Sequence, residues 1–188
     1  VLGATHGVEV GTEKVWEYCE ARGIPRFFFV SMMDKEHADF EKVYEEIKAT
    51  LTDRVIPVEI PIGAGEDFRG IINLFSGKAH LYRVGTTTGE YDEVEVPEEK
   101  REKYDRWRTE LFESIAATDD TLLERYLEGG AISREQALEA MKAAMLRGEM
   151  YPLFCGSAER SWGMRALLNK LVELMPNPLE TRVERAVR

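Results

Sequence analysis

Residues 27–30 read Phe-Phe-Phe-Val, an apolar run without alternation. A strand that shows no face to water must be covered on both faces, and that is the condition of strands in parallel sheets flanked by helices. The run stops abruptly at Ser31-Met32-Met33-Asp34. A second run of the same kind, Tyr-Pro-Leu-Phe-Cys at 151–155, stops at Gly156-Ser157-Ala158. Helical patterns flank both. Thr12 is expected to cap a helix that runs to Arg22 and ends at Gly23, with Val15, Trp16 and Cys19 on one face. Between residues 38 and 51, Phe40, Val43, Tyr44, Ile47 and Leu51 recur at helical spacing. After the second run, Met164, Leu167, Leu168, Leu171 and Val172 do the same, and Pro-Asn-Pro at 176–178 closes that helix. These stripes are read as core. Strand, helix, strand, helix is half of a doubly wound α/β sheet.

The pattern changes near residue 55. Short strand candidates split by glycines follow, and residues 93–96 alternate and are expected to pair with residues 78–84 through the loop Gly-Thr-Thr-Thr-Gly. Pro97 suits a first helical turn, followed by a stripe of Tyr104, Trp107, Leu111 and Ile115. A short helix is expected over 119–127, and Ser133 with Gln136 forms a capping box for another, with Leu138, Met141 and Met145 inside. The organisation expected is α/β over 1–54 and 151–180, an α+β insert over 55–150, and a polar tail at 181–188.

The 188 residues carry a formal net charge of −10, which repels phosphate backbones and disfavours nucleic acid as a direct partner. The two cysteines, Cys19 and Cys155, read as reduced core thiols of a cytoplasmic protein. No apolar run approaches the ~20 residues that span a bilayer, and no signal peptide is evident. The chain opens on what resembles a strand end rather than on Met, which suggests a cut N-terminus.

Ligands of open α/β sheets bind beyond the carboxyl ends of the strands, where Ser31-Met32-Met33-Asp34 and Gly156-Ser157-Ala158 would lie. A carboxylate there can accept two parallel hydrogen bonds from a ring N–H and an exocyclic amino group, an edge that guanine has and adenine lacks. The N–H of Ala158 can reach the guanine carbonyl, and Ser157 can brace Asp34. The alternative is that Asp34 caps the next helix or its loop. A phosphate-cradling G-x-x-x-x-G-K-[ST] does not occur in the sequence. Phe-Ser-Gly-Lys-Ala-His at 75–80 lacks the earlier glycine and the hydroxyl, and Asp-Phe-Arg-Gly at 67–70 reads as a turn. His6, His37 and His80 have no metal-like spacing, and no metal site or catalytic residue is expected here.

VSMMDKEHADF, VEIPIGAGEDFRGIINLFSGKAHLY, LERYLEGG and YPLFCGSAERSWGMRALLNKLVELMPNPLE together resemble elongation factor G and its paralogues, from Gly7 to Leu179. The resemblance implies an incomplete doubly wound P-loop GTPase-type sheet with an α+β inserted subdomain, in a translational GTPase. The family's base-reading Asn-Lys-x-Asp and later Ser-Ala fall on Ser31, Met32, Asp34, Ser157 and Ala158. Ser31 and Met32 depart from the pattern: methionine keeps an apolar stem but not the charge, and serine has no amide to bridge to the phosphate loop. Phosphate loop, switches and catalytic histidine precede the residue matching Val1. The chain alone is therefore expected not to hydrolyse GTP and to bind GTP or GDP weakly or not at all, with magnesium only in the full-length parent. The ribosome, including its stalk protein through the insert, is the implied partner, and self-association through the truncated sheet is expected. A degenerate paralogue, a ribosome-binding module without hydrolysis, is the alternative.

Overall fold

The computed structural model describes residues 1–177. The expected tail at 181–188, and the last residues of the segment expected to run to 180, lie outside them. The elements are β1 (Leu2–Gly3), α1 (Val10–Arg22), β2 (Phe28–Ser31), α2 (Phe40–Thr50), β3 (Val55–Pro57), β4 (Glu59–Ile62), β5 (Gly70–Asn73), β6 (Lys78–Tyr82), β7 (Tyr91–Glu95), α3 (Arg101–Ala116), α4 (Asp120–Leu127), α5 (Arg134–Arg147), β8 (Tyr151–Cys155) and α6 (Met164–Leu174).

Four strands form a parallel sheet in the order β1-β2-β8-β3, and the other four form an antiparallel meander, β4-β5-β6-β7. All residues of β2 and β8 are buried, as an apolar run without alternation requires. β6 and β7 pair through the glycine-bounded loop, Lys78 opposite Glu95 and Tyr82 opposite Tyr91. Pairing places Val55–Pro57 beside β8 in the parallel sheet, so the second sheet starts at Glu59 rather than at residue 55. Val58, the single residue between β3 and β4, is bonded on both sides: its N–H donates to the carbonyl of Leu153 (3.0 Å) and its carbonyl accepts from Leu74 (3.1 Å). The buried side chains of both sheets and their helices form one continuous core.

Helix starts agree with the sequence signals where a side chain can satisfy the first turn. The capping box of Ser133 and Gln136 is formed, and Asp119 and Asp39 cap α4 and α2. Thr12 does not cap α1. The helix begins earlier, at Val10, after the turn at Gly7 (φ 69°), and Glu9 occupies the cap position without a side-chain bond.

Two stripes read as core are only partly so: Trp16, Met164 and Leu167 pack half-buried against the core. In α1 no residue is fully buried; Trp16 docks on Phe28 (5.4 Å) and edge-on to Tyr151 (4.8 Å), while Val15 stays exposed and Cys19 half-buried. In α6 the buried residues are Lys170 and Leu174, and Leu168, Leu171 and Val172 face outward. Periodicity identifies an apolar face; it does not say that this chain covers it.

Candidate functional site

The two loops expected at the strand ends are adjacent because β2 and β8 are neighbours in the sheet. The N–H of Met33 donates to the carbonyl of Gly156 (3.1 Å), and the N–H of Gly156 donates to Val30 (2.9 Å). Met33 is wholly buried, so its backbone fixes the first loop against the second. The second loop closes on itself: Ser157 and Trp162 exchange N–H···O bonds of 2.9 Å in both directions.

Asp34 is buried at 9% exposure. Its Oδ1 lies out of solvent with no hydrogen-bond partner, while Oδ2 faces the Lys35 ammonium at 3.4 Å and the Arg160 guanidinium at 3.7 Å. Burial pushes this carboxyl up. The Ser157 hydroxyl, the residue's own N–H and the Lys35 ammonium outweigh that push and hold it below its ordinary value. Ser157 acts from close by without closing a regular bond to Oδ1; its Oγ accepts from the N–H of Arg160 (3.2 Å). An ionised carboxylate with one buried, unpartnered oxygen is an acceptor for a donor edge. The helix-capping alternative for Asp34 does not hold, since Asp39 caps α2 by accepting from Lys42 N–H at 2.9 Å.

Ser157 is fully buried beneath Asp34's loop, and Ala158 is exposed at the tip of the second loop. Met32 adopts the left-handed conformation (φ 65°) and is 36% exposed, with its sulfur beside Gly3. That backbone conformation is unfavourable for a residue with a Cβ, and such strain concentrates at ligand-binding loops. Ser31 is buried at the end of β2, and its carbonyl accepts from Ala4 N–H at 2.8 Å.

A polar groove of about 730 Å3 opens beside Asp34 and is lined in part by Lys35, Gly65, Glu66, Glu159 and Arg160. Its walls do not include Met32 or Ala158, so it approaches Asp34 from the Lys35 and Arg160 side. Sequence reading named neither cation; their only signal was adjacency to the matched residues. Among the described residues, no group of three or more His, Cys, Asp or Glu stands close enough to hold a metal ion, and no helix is long and apolar enough to cross a membrane.

The family described as the elongation factor Tu GTP binding domain matches residues 1–177. Elongation factor G of Thermotoga maritima and that of Thermotoga petrophila are each 38% identical over 180 residues, covering 96% of this chain and 26% of their own. A crystal structure of a Thermus thermophilus protein superposes with a TM-score of 0.85 at 38% identity, covering 95% of this chain and 26% of that one. The chain thus spans about a quarter of the length of the relatives it matches. A match over the whole described chain, together with identity at this level, places it in the elongation factor Tu GTP-binding-domain family, as a fragment similar to elongation factor G.

Proposed function

We propose that these residues are the guanine-reading part of a GTP-binding domain in a translation factor similar to elongation factor G. The observation that carries this reading is the Asp34 carboxylate, ionised, buried and with Oδ1 unpartnered, beside a loop that ends in Ser157 and Ala158. Asp34 accepts from the ring N–H and the amino group of guanine, Ala158 N–H donates to its carbonyl, and Ser157 braces Asp34. The stem of Met32 covers the base.

In this proposal GTP or GDP binds weakly to the chain by itself, because phosphate contacts supply much of nucleotide affinity and no phosphate-cradling sequence is present here. Magnesium and the phosphates fall to the parts of the relatives' chains that these residues do not match. The antiparallel sheet with α3–α5 is the inserted subdomain and meets the stalk of the ribosome. The free edge of β1, with the groove beside it that Val15 and Trp16 line together with Glu9 and Arg26, is where one chain meets another.

Ser31 and Met32 support a second reading, a paralogue that binds the ribosome without hydrolysing GTP, because both polar groups that secure the base loop in the family are replaced. A two-dimensional amide NMR titration with GDP, with ADP as control, tests the first reading. Shifts at Asp34, Ser157 and Ala158 with GDP alone are expected. The same shifts with ADP would show that Asp34 does not read guanine.

A further inference from the structure

The loop that carries Ser157 and Ala158 is held from outside by the antiparallel sheet. Trp162, which closes this loop on Ser157, is 3% exposed. Its ring stacks on Tyr82 of β6, with centroids 5.3 Å apart and planes 10° from parallel, and meets Phe68 at 5.8 Å. The Arg160 guanidinium lies 4.9 Å above the same ring, and its Nε stands 3.7 Å from Asp34 Oδ2. Tyr82 is itself held edge-on by Tyr91 of β7 at 6.0 Å. The loop between β6 and β7 adds a backbone contact: a Cβ at Gly89 would stand 2.1 Å from the Ser161 carbonyl, so these two stretches touch without space for a side chain. Ser161 holds a left-handed conformation (φ 59°) at that point.

We propose that Tyr82 and Trp162 are positioning residues for base recognition: their stack lets the antiparallel sheet set where Ser157, Ala158 and Arg160 stand relative to Asp34. This rests on the guanine reading above. Ala158 is exposed, and its carbonyl accepts from Ser161 N–H at 3.1 Å within the same loop. What places it is the turn closed by Trp162, and Trp162 is clamped by Tyr82 and Phe68. A flat ring fixes its neighbour's plane as well as its distance. The same ring carries Arg160, so displacing Trp162 also moves a cation off Asp34.

Amide hydrogen exchange on the chain with Tyr82→Leu and with Tyr82→Phe tests this without nucleotide. Tyr82→Leu should speed exchange at Ser157 and Trp162 about tenfold, by making local opening easier, and leave Phe29 and Leu153 of the β2–β8 ladder unchanged. Tyr82→Phe keeps the ring and should behave as the parent chain. Unchanged exchange at Ser157 and Trp162 in Tyr82→Leu would overturn the proposal, as would equal acceleration throughout the fold. A Tyr82→Phe variant as fast as Tyr82→Leu would assign the effect to the hydroxyl and overturn it too. In the same samples, GDP-induced shifts at Ala158 should shrink in Tyr82→Leu and return in Tyr82→Phe. A chain that shows no GDP shifts in any form sinks the guanine reading, and exchange still decides whether the stack positions the loop.

Discussion

Met33 and Gly156 are joined by a 3.1 Å hydrogen bond from the N–H of one to the carbonyl of the other, across 123 positions of sequence. It makes the loops after β2 and β8 one unit: neither moves without stretching a bond buried from water. What remains variable is the side-chain chemistry on that unit, and under the proposed guanine reading Ser31 and Met32 stand where the family's pattern has asparagine and lysine.

Restoring them should strengthen nucleotide binding. Ser31→Asn with Met32→Lys returns one amide and one ammonium; the amide's phosphate-loop partner is not among these residues, so the gain rests on the ammonium meeting the nucleotide, a hydrogen bond worth about 1–3 kcal/mol. GDP affinity of the double variant should rise at least tenfold in an NMR titration, and Asp34→Asn, which replaces an acceptor by a donor, should abolish the shifts. A double variant that binds no better would mean that the loops are not limited by those two side chains.

Glu59 predicts a pH dependence. Both of its carboxylate oxygens are buried without partners, and burial, opposed only by Lys170, pushes its carboxyl up to about 8. The folded chain therefore keeps a proton that the unfolded chain releases above about 4.5. Stability from this group is full below that value and falls as pH rises toward 8, by about 1.4 kcal/mol per unit. Glu59→Gln keeps the shape without the charge, so denaturant midpoints measured from pH 5 to pH 8 should be flatter for the variant than for the parent chain. Parallel curves would show that Glu59 finds a partner in solution.

Gly156→Ala should destabilise the site directly. A Cβ there would come 2.3 Å from the Trp162 carbonyl and 3.1 Å from the Phe29 ring, and the first of these is backbone that cannot swing aside. A cost of about 1–3 kcal/mol is expected, seen as a lower melting temperature together with altered amide positions at Ser157 and Trp162. An unshifted melting curve would place the loop farther from Gly156 than the structure does.

The sheet edge predicts self-association. β1 pairs on one side only, and Val10 and Val15 of the helix above it are exposed. Multi-angle light scattering over a concentration series should give a mass above one chain, and Val15→Glu should bring it down. A constant single-chain mass for the parent would exclude this edge as a contact.

The place of the two strand-end loops was legible because burial on both faces of β2 and β8 leaves a plain mark; the role of Asp34 came from the resemblance alone. The cap of α2 was not separable from Asp34 in sequence, since Asp34 and Asp39 both precede the helix and only geometry shows which oxygen meets Lys42 N–H. Leu168, Leu171 and Val172 have the spacing of core residues, and nothing local records that no described part of this chain lies over them. The Trp162–Tyr82 stack joins positions 80 residues apart with no pattern to link them.

Val58 is a joint without play. A single residue, bonded on one side to Leu153 and on the other to Leu74, separates the parallel sheet from the antiparallel one. A flexible tether would let a push on the outer sheet dissipate as swing. This one has no slack: Val58 is bonded directly to Leu153 of β8, and Gly156, Ser157 and Ala158 follow that strand. The two sheets are thus pinned to each other at Val58, against the strand that leads to Ser157 and Ala158.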